Sequence, residues 1–400
     1  MRKLFCLLLL ISTGPAFCQN CDDILKKQHL QYDKGIQTYD LIKDVKEIAK
    51  ASGRDTNNVE AILRNLKCDA PAQVPSFENP FIYCWLQSAF DRIETHLPKL
   101  GLKKVDNLCY GSLFLRTNVA KTELIDKHNV ILFHASLFVF LDEFINLGLA
   151  KIDDKPGDSI IITDRTQTQT SKRLPITDSL LLKRTKELLE VFVNGDDSRT
   201  NKFTVDHHLT IYTPELSYHS ILFIACHEYA HALAGDKIKS NIKLNELWER
   251  ELNADRLGFK IYLSILSDDD DLSHRFLYYL TPLCYFSAVD FVEKNMYKKM
   301  NGESMPSSAE RYDETKSFIK ITNDKIQVDP QINHFFSGKS FYPPPKLRNE
   351  YIMSQVLNAM DVANQKGKEK AQMKLTFSLS EYLNQLSEKT DSLEKINKSN

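Results

Sequence analysis

Between Thr213 and Gly235 the chain dictates its own local structure. Thr213-Pro214-Glu215 supplies a hydroxyl for a helix N-cap, a proline suited to the first helical position and an acid near the positive helix end. Gly235 follows Ala234 and can take the left-handed conformation that closes a helix. The boundaries predict one helix of about 20 residues from Pro214 to Ala234. Inside it, after the apolar run Ile221-Leu222-Phe223-Ile224, stand His227, Glu228 and His231. The two histidines are four apart, so both imidazoles leave one helical face and can grip a single tetrahedral metal ion. Glu228 lies beside that position, where it can accept a proton from a metal-activated water.

A catalytic zinc needs a third protein ligand and an open fourth position. A continuation with Gly three residues and His six residues after His231 is excluded by Ala234 and Lys237. A second helix is predicted around Leu247, Leu252, Leu257, Ile261, Tyr262 and Ile265. It carries Glu251 and Asp255 four apart on one face, with small Ala254 and Gly258 allowing close helix approach. Glu251 can be the third ligand, with Asp255 behind a ligand histidine to fix its tautomer. The reverse assignment, Asp255 as ligand and Glu251 behind, stays open.

Here the residues carry a resemblance. His227-Glu228-Tyr229-Ala230-His231, followed twenty residues on by Glu251-Leu252-Asn253-Ala254-Asp255, resembles the HExxH…ExxAD pattern of gluzincin-type zinc metallopeptidases. It is similar to the prenyl-processing and heat-shock-type membrane endopeptidases and to the phage-exclusion (Lit-like) peptidases. The match covers about forty residues and is specific to the clan, not to one family. The resemblance implies a zincin-like core, one Zn2+ per chain held by His227, His231 and Glu251, and Glu228 as general base.

Two weaker echoes follow. Pro306 to Arg311 and Pro343 to Arg348 each place an arginine five residues after a proline, with Met305 and Tyr342 where those peptidases have histidine. Tyr342, His334 and Arg348 are candidate donors to the oxyanion of a transition state, although each arginine taken singly reads as an ordinary surface residue on a proline-started helix. The run Asp268–Asp271 reads as a solvated loop, and His207 and His208 as strand residues.

The beginning of the chain bears on where it works. Arg2 and Lys3, the apolar run Leu4 to Ile11, and small Ala16 and Cys18 form a secretory signal over residues 1–18. The expectation is an exported protein, secreted or periplasmic, with lipid attachment at Cys18 or Cys21 the less favoured variant. Of eight cysteines, six follow the signal, an even number that permits disulfides in an oxidising compartment. Cys226 and Cys284 sit in apolar runs and read as buried thiols at least as readily as a bridge. The apolar stretches Val130 to Ala150 and Phe276 to Val289 are interrupted by charge or too short to span a membrane. With 52 Lys+Arg against 53 Asp+Glu there is no basic excess to neutralise phosphates, which excludes nucleic acid as a partner.

The fold class that follows is α+β, mostly α: a zincin-like core with a small mixed sheet preceding the metal-binding helix. Residues 19–70 form an N-terminal helical region, a pro-segment or accessory lobe. Residues 76–372 form the metallopeptidase domain, and 373–400 a C-terminal helix and polar tail. Strands are expected at Leu108–Leu115, Val130–Phe133 and Phe203–Thr213, the last an edge for an extended substrate. Helices are expected within 76–100, at 137–149 and at 179–194, and 151–175 reads as turns. The expected function is hydrolysis of peptide bonds in a peptide or protein substrate; the alternative is a secreted binding or immunity-like protein on an inactive metallopeptidase scaffold.

Overall fold

The computed structural model describes residues 14–32, 75, 78, 80–113, 115, 119–152, 159–163, 171–194, 202–206, 209, 212–236, 242–267, 278–279, 281–302, 304–321, 326–335 and 342–361. The first part of the expected signal, most of the expected helical region between 33 and 70, His207, His208, Asp268–Asp271 and the tail from 373 lie outside the described residues. The protein is α+β and mostly helical, and its chain groups into two compact units. One comprises Met1–Ala135 with His231–Ile238, the other Ser136–Ala230 with Lys239–Asn400.

In the first unit, helix α1 (Gly14–Tyr32) and helix α2 (Pro80–His96) pack on a three-stranded sheet. Its strands are β1 (Leu108–Leu113), β2 (Ala120–Ile125) and β3 (His128–His134), in the order β1-β3-β2. β3 is central, parallel to β1 and antiparallel to β2. Its apolar stretch Val130–Phe133 is fully buried, as the sequence led us to expect. β2 was not legible: it is joined to β3 through Asp126-Lys127, both at positive φ (48° and 68°), a pair that lacks the glycine signature of two-residue hairpins.

Ile24 and Leu25 of α1 pack with Cys109, Leu113, Val130 and Leu132, and Cys21 forms a disulfide with Cys109. Cys84 is disulfide-bonded as well. The buried carboxylate of Glu78 completes the outer edge of β1: it accepts the Ser112 N–H (3.0 and 3.2 Å) and hydroxyl (2.9 Å), and His29 Nε2 lies 3.2 Å away. A Cβ on Gly111 would stand 2.3 Å from Glu78 Oε1, so a larger residue there would displace this carboxylate.

The second unit begins with helix α3 (Leu137–Ile152) and an antiparallel sheet. Strands β4 (Ser159–Thr163), β5 (Ser171–Pro175) and β6 (Lys202–Asp206) are ordered β5-β4-β6, with helix α4 (Asp178–Asn194) between β5 and β6. This corrects the expectation of turns over 151–175: Ile160-Ile161-Ile162 is a β-branched run suited to a pleated surface. A small mixed sheet does precede the helix that begins at Thr213, as expected, and a second, antiparallel sheet follows it in the chain order. The strands nearest in sequence to the helix that carries His227 and His231 are all antiparallel, and the mixed sheet is β1-β3-β2. β6 ends at Asp206, short of the expected Thr213.

Helix α5 (Thr213–Ala234) closes on Gly235 at φ +66°, where the sequence placed the stop. Helices α6 (Leu244–Leu266) and α7 (Thr281–Asn301) follow, then α8 (Ser308–Thr315), the hairpin β7 (Ile319–Ile321) and β8 (Ile326–Val328), α9 (Ile332–Phe335) and α10 (Pro345–Asp361). Phe223 of α5 is the hub of the core, edge-on to Phe259 and Tyr262 of α6 and to Tyr285 and Phe286 of α7. Such aromatic pairs add about 0.5–1.5 kcal/mol each beyond area burial. On the other side of α6, Asn253 exchanges two hydrogen bonds with the Ile326 backbone and Glu249 accepts the Val328 N–H, which fastens β8. Cys226 and Cys284 are buried thiols.

Candidate metal centre

His227, His231 and Glu251 are buried and present one ligand atom each, all within 4.8 Å of one another. They form a group able to hold a metal ion. Two helices produce it: α5 supplies the histidines one turn apart, and α6 supplies Glu251 from the middle of its buried face. The approach of the helices depends on Gly258. A Cβ there would lie 2.8 Å from both N and Cα of His227 and 3.0 Å from the Cys226 carbonyl carbon. Those are backbone atoms of a helix and cannot swing aside.

The chemistry of the donor set fits a zinc-sized ion. His227 Nε2 stands 3.4 Å from Glu251 Oε2, close to the edge of about 3.3 Å expected of a tetrahedron with bonds near 2.05 Å. Each imidazole turns its other nitrogen to a carboxylate: His227 Nδ1 lies 2.9 Å from Asp255 Oδ1, and His231 Nδ1 lies 2.9 Å from Asp236 Oδ2. Such partners hold Nδ1 protonated and free Nε2 to coordinate. Glu251, and not Asp255, joins the histidines in the group. Asp236 is a residue the sequence reading missed. It follows the helix-ending Gly235, where the chain reverses and the Asp236 N–H bonds to the His231 carbonyl (3.2 Å). An acid directly after the stop glycine was the available signal.

Asp255 is anchored from behind. Arg348 of α10 donates to both its oxygens, at 2.6 and 2.7 Å, with both side chains buried. Burial alone would raise the Asp255 carboxyl, but the Arg348 guanidinium and then His227 outweigh it and hold the group below the usual carboxylate range. Arg348 packs its guanidinium over the Phe286 ring at 4.2 Å. Its Nε and Nη2 are thus committed to Asp255 in place of the oxyanion expected from the sequence. Arg311, the other arginine five residues after a proline, is fully buried too, so neither is the ordinary surface residue that a proline-started helix suggested.

Of the remaining candidate donors, His334 is exposed on α9 and does not join the group. Tyr342 does face it electrostatically: burial first, then Glu251 and Glu228, push its phenol well above 10. Tyr285 of α7, read in the sequence only as core, behaves alike. Burial raises its phenol, Arg348 lowers it, and Glu228 and Glu251 raise it further. Both phenols therefore keep their protons at neutral pH. Glu228 itself is buried on α5 beside His227.

One carboxyl nearby is tuned into the neutral range. Burial pushes Glu293 of α7 up to about 7, against the opposing pull of Arg311 and of the Tyr342 backbone N–H. Its value in the fold exceeds its value in the unfolded chain, so its contribution is fully present below about pH 4.5 and is lost as pH rises through about 7. Glu293→Gln is accordingly expected to flatten the fall in melting temperature between pH 5 and 8. A wild-type decline that persists unchanged in the variant would assign it to other groups.

Comparison of the chain with family models, with curated proteins and with solved structures returned no match. The functional reading therefore rests on the site's own geometry and on the motif.

Proposed function

We propose that the chain is an exported zinc-dependent metalloendopeptidase with a zincin-like core. The observation that carries the reading is the buried His227–His231–Glu251 group on two packed helices, with Glu228 next to its first histidine. Two imidazoles and one carboxylate are the protein ligands of one class of catalytic zinc site. The resemblance to the gluzincin pattern points the same way. Export is supported by disulfide-bonded Cys21, Cys84 and Cys109, since such bonds persist in oxidising compartments. No helix among the described residues is long and apolar enough to cross a membrane.

Zinc held by these residues would supply Lewis acidity, polarising a peptide carbonyl and easing deprotonation of a water near neutral pH. The chain's own groups do the rest. Glu228 takes the proton from the attacking water and returns it to the leaving amine. The protonated phenols of Tyr342 and Tyr285 are the donors at hand for the charge that develops on the carbonyl oxygen. Asp255 and Asp236 fix the two imidazoles in the coordinating tautomer, and Arg348 keeps Asp255 ionised. β6, at the open end of the order β5-β4-β6, is an edge on which an extended substrate can pair.

Elemental analysis of the purified chain tests the reading. About one zinc per chain is expected in wild type, lost in Glu251→Ala and weakened 10- to 100-fold in affinity in Asp255→Ala. A wild-type chain that stays metal-free after reconstitution would end the metallopeptidase reading. A chain that keeps zinc and cleaves nothing would instead be a binding protein on an inactive scaffold.

A further inference from the structure

The segment that carries Tyr342 is short, stiff and held at both polar atoms of one residue. The Tyr342 N–H donates to Glu293 Oε1 at 2.5 Å, and the Tyr342 carbonyl accepts from Arg311 Nη1 at 3.3 Å. Arg311 is fixed in turn: its Nη2 bonds to Asp290, whose second oxygen takes Lys294 Nζ at 2.6 Å, and all three side chains are buried. Downstream, Pro343, Pro344 and Pro345 each lock φ, and Tyr342 as a residue before proline is confined to extended backbone. The Pro344 carbonyl then accepts the Leu347 and Arg348 N–H groups and opens α10. Little slack remains between the grip on Tyr342 and the hold of Arg348 on Asp255.

Burying an arginine, a lysine and an acid, with a second acid half-buried, around one peptide unit is expensive when the only return is stability, because apolar residues of like volume serve that end at least as well. The return here is position. The gripped residue is one of the two tyrosines, with Tyr285, whose phenols are addressed by Glu228 and Glu251. We propose that Glu293, with Arg311, is a positioning residue for the reaction: it grips the backbone of Tyr342 and so sets the phenol beside the Glu228 and Glu251 carboxylates. The inference rests on the hydrolase reading for its purpose but not for its geometry.

The groups that face Glu293 are Arg311 from α8, Asp290 from its own helix, Arg348 from α10 and the Tyr342 N–H. Lys294 faces Asp290 and helps to neutralise it. Ionised Glu293 makes a charge-assisted bond to the Tyr342 N–H, and protonation weakens it. The Tyr342 ring should therefore sense the protonation of Glu293.

The test uses the full zinc-loaded chain with its 16 tyrosines replaced by 3-fluorotyrosine and read by fluorine NMR. The Tyr342 signal is the one that vanishes in Tyr342→Phe. In the otherwise wild-type chain it is expected to shift with a midpoint near pH 7, and in Glu293→Gln to be displaced and to lose that titration, at unchanged zinc content. With labelled casein as substrate, Glu293→Gln should lower kcat about 10- to 100-fold with KM unchanged. A Tyr342 signal that neither moves nor changes its titration in Glu293→Gln overturns the proposal. If that variant fails to fold, a flat wild-type Tyr342 signal between pH 5 and 9 overturns it as well. Absence of casein cleavage by wild type would count against the hydrolase reading alone, while the NMR signal still decides whether Glu293 positions Tyr342.

Discussion

Glu228→Gln is expected to keep one zinc per chain, keep the melting temperature within a few degrees and lose about 10³-fold of the hydrolysis of labelled casein. The substitution is close to isosteric and leaves both histidines, Glu251 and their supporting acids in place. It removes only the capacity to accept and return a proton. The pairing of retained metal with lost turnover is what assigns the role, since a variant that dropped its zinc would report on the site and not on the base. Turnover within tenfold of wild type in a zinc-replete Glu228→Gln chain would remove Glu228 from the mechanism. Metal content and a thermal melt on the same sample supply both controls.

Gly258→Ala should have the second largest effect, although the residue touches no substrate. A methyl group in an α-helix ordinarily stabilises it by about 1 kcal/mol relative to glycine. At this position the methyl would stand 2.8 Å from the His227 backbone, so α5 and α6 must separate. Overpacking of this kind costs about 1–3 kcal/mol, which exceeds the helix-propensity gain over most of its range. Separation also moves Glu251 away from the histidines, and zinc affinity should fall about 10- to 100-fold. Urea unfolding with and without zinc, with chelator competition, measures both quantities. An alanine variant as stable as wild type and binding zinc as tightly would mean that the helices yield at no cost.

Much of this centre was readable without coordinates. The boundaries of α5 were written in Thr213-Pro214 and Gly235, and the four-residue spacings of His227 with His231 and of Glu251 with Asp255 fixed which side chains share a face. The need for a small residue at Gly258 was legible too. What could not be read was anything assembled from distant segments by burial. The arginines at 311 and 348 looked like surface residues because local sequence carries no sign of the acids they meet, Asp290 and Asp255. Tyr285 was hidden in an apolar helix, and its tie to the carboxylates exists only after α7 packs beside α5. β4 was not legible for a different reason: the turn-formers Pro156 and Gly157 stand almost next to its three consecutive isoleucines, so the local composition is that of a turn.

The bridge between Cys21 and Cys109 has a consequence for maturation. It ties residues 88 apart in the chain, and nearly all of the segment expected to act as a pro-region, from Cys21 to residue 70, falls inside the loop it closes. Cutting the backbone anywhere between those cysteines opens the loop but releases nothing, because the α1 end stays bonded to β1. Severance by a protease and departure of the fragment are then separate events, and the second requires a reductant. In an oxidising compartment such a region behaves as a permanent tether. If the proposed peptidase is held silent before use, its release has to come from a rearrangement about that tether and not from shedding the segment that carries Cys21.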